Sequence, residues 1–196
     1  SNFGSSWDNI KQKGTSQELD AINQILMYRV QYRNFGSTKR IVCNHTVDVD
    51  GTDHAGIRWY ELELNNDTWE IRQEGTYAPD EHSRWMASIA MNGRKDIALG
   101  YSASSTTLYP SIYYTGQSAA ENMNASGIMD IEEGVIKDGT ASSTGNNRWG
   151  DYSNMSVDPA DDMTFWFTTQ YMISNSSKGT KVASLYFAEL LAAAFI

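Results

Sequence analysis

The stretch Asn147–Tyr171, NRWGDYSNMSVDPADDMTFWFTTQY, constrains this chain more than any other. It reads as strand, tight acidic turn, strand. Tyr152–Val157 is β-compatible. Asp158-Pro159-Ala160-Asp161-Asp162 is turn chemistry, because proline presets φ and aspartate side chains bond back to nearby amides. Met163–Thr169 is rich in aromatic and β-branched residues and predicts a strand. Its near-continuous bulk predicts burial on both faces, as in an inner strand of a stacked sheet.

Two weaker copies lie upstream. Ser88–Asn92 leads through Gly93-Arg94-Lys95-Asp96 to Ile97–Tyr101, and Ile41–Val47 leads through Asp48-Val49-Asp50-Gly51-Thr52-Asp53 to Gly56–Leu62. Arg-Trp recurs at Arg84-Trp85 and Arg148-Trp149, ahead of two of the hairpins. Antiparallel units recurring at such distances point to blade-type repeats, with unequal spacing absorbed by loop insertions. The segments TVDVDGTDHAGIRWYELE, EGTYAPDEHSRWMASIAMN, IALGYSASSTTLYPSIYYTG and NRWGDYSNMSVDPADDMTFWF resemble secreted bacterial β-propeller proteins with Asp-box-like (BNR-like) repeats, distantly similar to the sialidase (neuraminidase) fold. The resemblance runs over roughly residues 14–187. Ser156-Val157-Asp158 keeps the Ser-x-Asp start of an Asp box and Trp166 the late aromatic, without the mid-turn glycine.

The expected fold is therefore all-β, with about three to four propeller-like antiparallel blades, the whole forming a partial propeller. Blade hairpins are expected near residues 40–63, 84–102 and 148–171, within a domain over 27–196, with 1–26 an N-terminal arm or leader. Thr15 and Glu18 have capping-box spacing, which predicts a helix from Thr15 to Ile25. A closed propeller uses four to eight blades. So few strands predict self-association or further blades from flanking sequence.

Composition limits the partners. The net charge of −9 repels phosphate backbones and argues against nucleic acid. The longest apolar tail, Leu190–Ile196, is too short to span a bilayer. Cys43 is the only cysteine, so no internal disulfide forms, and a small buried thiol is expected. A catalytic thiol beside His45 is the alternative. Ser1–Ser6 lacks the basic-then-apolar pattern of a signal peptide. The resemblance nevertheless implies a secreted or cell-surface protein.

No zinc, phosphate-loop or nucleophile-elbow motif occurs. Asp48, Asp50 and Asp53 alternate around Gly51 as oxygen ligands do in Ca²⁺ loops, so Ca²⁺ is the one cofactor weighed; turn capping is the other reading. Blade geometry places His82, Arg84, Trp85, Arg148, Trp149, Asp151 and Tyr152 on one face. Guanidinium groups bind carboxylates bidentately and aromatic rings stack on sugars, whereas tryptophans packed between blades are the competing reading. The resemblance implies a non-catalytic module binding glycan or protein at a cell surface. A sialidase-like glycoside hydrolase and an assembly fragment of a larger secreted protein are the alternatives.

Overall fold

The computed structural model describes residues 8–23 and 25–188. It is all-β and antiparallel. A hairpin of β1 (Asp8–Gln12) and β2 (Thr15–Asp20) comes first. Three meander sheets follow in chain order. The first holds β3 (Gln31–Asn34), β4 (Lys39–Asp48), β5 (Ala55–Asn65) and β6 (Thr68–Tyr77). The middle sheet holds β7 (Ser83–Met91), β8 (Ile97–Ser104), β9 (Ser111–Gln117) and β10 (Ile131–Lys137). The third holds β11 (Asn154–Val157), β12 (Phe165–Ser174) and β13 (Ser177–Leu185). A single-turn helix, α1 (Ala119–Asn124), interrupts the loop before β10, its N-terminus capped by Ser118.

Every residue of β7 and β8 is buried. Strands of that kind need cover on both faces of their sheet. The first sheet covers one face, where Val42, Ile57 and Trp59 meet Ile89, Met91 and Leu99. The third covers the other, where Met155, Phe165 and Phe167 meet Ala90, Ala98 and Ile112. Gly100 permits this second approach, since a Cβ there would stand 2.6 Å from the Phe167 ring. The first strands meet at Ser88. Its hydroxyl donates to the Tyr28 carbonyl (3.1 Å) and accepts from the Met155 amide (2.8 Å).

The strand directions define two ends. At the upper end the chain enters β7 and β11, and β4 turns into β5. At the lower end β3, β7 and β11 turn into their successors. The N-terminal hairpin closes part of the upper end. Ile10 and Leu19 pair across it and pack with Trp85, Met86 and Trp149.

Three expectations change. Thr15–Asp20 is a strand, not the start of a helix. The Thr15 hydroxyl accepts from the Gln17 amide (3.1 Å), two residues on rather than three, and burial of Leu19 against Ile10 favours the extended chain. The Asp48 turn is not a copy of the other two. It joins second to third strand at the upper end, whereas the Asn92 and Asp158 turns join first to second at the lower end. The lower-end turn of the first sheet lies at residues 35–38. Finally, β12 is not buried on both faces. Phe165, Phe167 and Thr169 point inward while Trp166 is 41% exposed.

Asp162 ties the lower ends together. Its carbonyl accepts from the Gly93 amide (2.7 Å), and its carboxylate takes both oxygens to Arg33 (2.6 and 2.7 Å). Its φ of 55° suits aspartate or asparagine better than alanine. Asp162→Ala should lower stability by about 1–2 kcal/mol in urea unfolding. Asp162→Asn should cost less.

Candidate functional site

The two Arg-Trp pairs were expected to share an open face, but they have opposite environments. Trp85 and Trp149 do converge, with ring centroids 6.1 Å apart, but both are buried beneath the N-terminal hairpin. A register shift in β7 between Trp85 and Ser88, with Met86 at φ 50°, accompanies the placement of Trp85 toward Trp149. The Trp149 indole donates to the Ser102 hydroxyl (2.9 Å). Both rings pack in the interior with Ile10 and Leu19 of the hairpin. The Trp85 ring is closed to any ligand.

Arg84 is fully buried as well. Its guanidinium binds Asp80 (2.8 and 3.0 Å) and Glu133 (2.7 and 2.8 Å). Burial opposes the charge, but the Glu133 and Asp80 contacts outweigh it and raise the arginine pKa above its ordinary value. Tyr101 donates to Glu133 (2.5 Å), and burial together with the Glu133 charge pushes its phenol well above the usual range. A tyrosine, a glutamate and an arginine thus meet, as a sialidase-type site would require. Arg84 and Tyr101 have no exposed surface, so this cluster acts structurally. His82 lies at the rim, with its amide capped by Asp80 (2.8 Å) and Nδ1 2.9 Å from the Ser105 hydroxyl.

The second pair opens outward. Arg148 follows the loop between β10 and β11, and its side chain is 70% exposed. It pairs with Asp151, which raises its pKa. Positive φ at Gly150 allows the chain to turn there, close against Met86. The result is a shallow cleft of about 160 Å³ lined by Arg148, Trp149, Asp151, Tyr152, Gln170 and Lys178. Tyr152 is 92% exposed at its mouth. The Lys178 ammonium donates to the Arg148 carbonyl (2.7 Å) and stands 5.2 Å from the Trp149 ring centre. Burial lowers its pKa, against the opposing Asp151 charge. On the cleft residues, Asp151 Oδ1 and Gln170 Nε2 are an acceptor and a donor without protein partners. Sequence reasoning found Arg148, Trp149, Asp151 and Tyr152. It missed Gln170 and Lys178, which arrive from β12 and β13 and carry no local signal.

A larger cleft, about 360 Å³, lies elsewhere on the upper end between Asp50, Asp53, His54, Glu81, Ser105 and Lys11. Its carboxylates suit an anion poorly. The Ca²⁺ expectation centred here gains no ligand set. Asp48 Oδ1 accepts from the Gly51 amide (2.9 Å), and Asp50 Oδ1 accepts from the Thr52 amide (2.9 Å) and hydroxyl (2.7 Å). Among the described residues no three His, Cys, Asp or Glu gather as a metal would need. Cys43 is buried and that burial raises its thiol pKa, which disfavours the thiolate, while His45 Nε2 lies 3.3 Å from the Tyr60 hydroxyl.

Comparison with known proteins gives no relative: no family model, curated protein or solved structure matches the chain.

The two arginines should respond differently to truncation. Arg84→Met takes the buried cation away from Asp80 and Glu133, which both keep some contact with solvent, and should cost about 1–3 kcal/mol in chemical denaturation. Arg148→Ala should stay within about 0.5 kcal/mol. Arg84 also holds the Asp80 pKa below the usual carboxylate value. A carboxylate depressed in the folded state contributes stability above its unfolded pKa and loses it as pH falls through the folded one. Asp80→Asn should therefore flatten the acid limb of a stability–pH curve below about pH 4.

Proposed function

We propose that this chain is an extracellular, non-catalytic binding module of propeller-like build that takes an acidic glycan in the Arg148 cleft. The observation that carries the reading is the exposed Arg148 guanidinium, with Lys178 behind it and Tyr152 standing free beside it. Arg148 and Lys178 bring two cations to the cleft, where Asp151, and Asp20 beside it, offset part of their charge. A sugar carboxylate would meet Arg148, and the ring would lie on Tyr152. Sheets packed face to face, with their first strands meeting at Ser88, support the propeller-like build, as do the lower-end turns. In one of those turns Asp158 accepts from the Trp166 indole (3.0 Å), linking the two positions that carry the Asp-box likeness.

Calorimetric titration with sialylated and uronic-acid oligosaccharides tests the reading. Arg148→Ala should weaken binding by about 1.5–3 kcal/mol, roughly tenfold to a hundredfold. Tyr152→Ala should weaken it less, and added salt should weaken it throughout. Asp162→Ala, at the far end, should leave affinity unchanged. Unchanged affinity in Arg148→Ala, or abolished binding in Asp162→Ala, would refute the assignment.

A further inference from the structure

The connection from β10 to β11, residues 138–153, has no strand of its own, yet Ala141, Ser142 and Ser143 within it are buried. Long connections of this kind commonly carry function. This one is anchored on two sides. On the third sheet, the Met172 carbonyl accepts from the Thr140 amide (2.9 Å) and the Ile173 carbonyl from the Thr140 hydroxyl (2.7 Å). The other anchor is the N-terminal hairpin. Near its turn, Gln12 Nε2 donates to the Ser143 carbonyl (3.1 Å) and Gln12 Oε1 accepts from the Ser143 amide (2.7 Å). At its open end, the Asp20 amide donates to the Asn147 carbonyl (2.9 Å).

The Gln12 side chain does here what a strand's backbone does elsewhere. Its amide exchanges both bonds with one residue, as paired residues of an antiparallel ladder do. It is 2% exposed, and Nε2 donates also to the Gln17 carbonyl (2.8 Å). Two carbonyls face the nitrogen and one amide faces the oxygen, so a single orientation of the group satisfies all three. From Ser143 the bonds run on to the cleft. The Ser143 hydroxyl donates to the Asn146 carbonyl (3.3 Å), and the Asn146 side chain accepts from the Arg148 amide (3.1 Å). The Arg148 carbonyl then accepts from Lys178 (2.7 Å). Asp151 first, and Asp20 from the hairpin after it, hold the Arg148 pKa above its ordinary value. The hairpin has separate holds on the body. Ile10 and Leu19 pack on the tryptophans, and the Lys11 carbonyl accepts from the Ser104 hydroxyl (2.9 Å).

We propose that the N-terminal hairpin is the latch of the Arg148 cleft, with Gln12 as the positioning residue: the seated hairpin holds residues 141–148 in the form that presents the guanidinium, and its release frees that segment. The effect on binding rests on the reading of the cleft as a glycan site. The coupling of hairpin to loop does not.

Hydrogen exchange of the full chain, read by mass spectrometry, tests the latch without a ligand. In the wild type, residues 8–20 and 141–148 should open together, at lower urea than β7 and β8. Gln12→Met keeps the length and burial of the side chain and removes its three bonds. Exchange over 141–148 should then rise roughly tenfold, with β7 and β8 unchanged. Titration with sialyllactose should show a loss of affinity of roughly tenfold, and Gln12→Met should add nothing once Arg148→Ala is in place. Separate opening of the two segments, unchanged exchange over 141–148 in Gln12→Met, or full affinity in a variant whose loop exchanges faster would each overturn the proposal. The wild-type urea series stands alone should Gln12→Met fail to fold: joint opening sustains the latch, and separate opening removes it. No binding of sialyllactose by the wild type, with the two segments still opening together, removes the glycan reading and leaves the latch standing.

Discussion

The Ser88 hydroxyl stands where the first strands of three sheets come together, donating to the chain ahead of β3 and accepting from β11. A serine in that place must be fully paired, since an unmet hydroxyl in a dry interior costs free energy. The pairing fixes the strands against one another at the point where their side chains have least room. The rest follows from it. With the first strands held together the sheets must face each other, so the middle sheet becomes apolar on both sides. Gly100 then allows the Phe167 ring to close the second interface.

The ends of the stack are built from different chemistry. At the lower end polar side chains hold the turns: Asp162 reaches both Arg33 and Gly93, and Asp161 satisfies the Met163 and Thr164 amides. At the upper end loops and the N-terminal hairpin leave polar clefts between them. The same dipeptide illustrates the division. Arg84 enters β7 inside the protein and is neutralised by two carboxylates, whereas Arg148 precedes β11 at the surface and meets one. Only the second keeps a solvent-exposed guanidinium.

The sides of the stack are less settled than its ends. Sheets that cover the middle one on their inner faces carry exposed aromatic and aliphatic side chains on their outer faces. The Arg148 cleft lies at the upper end, away from Tyr32 and Ile71 on the first sheet.

Much of this was written locally in the chain. Alternation and turn residues foretold antiparallel strands, including the hairpins about Asn92 and Asp158, because strand period and turn φ values are properties of short segments. What the sequence could not decide was set by contacts distant along the chain. Thr15–Asp20 carries a helix-start signal, yet Leu19 is claimed by Ile10 and the tryptophans, and the burial outweighs the cap. Arg84 and Arg148 sit in the same dipeptide, and only Glu133, brought over from β10, makes one of them structural. Lys178 and Gln170 became part of the cleft because β12 and β13 fold back beside Trp149. Local chemistry thus determined the elements, while the packing of sheet on sheet decided which of their polar groups remained free to act.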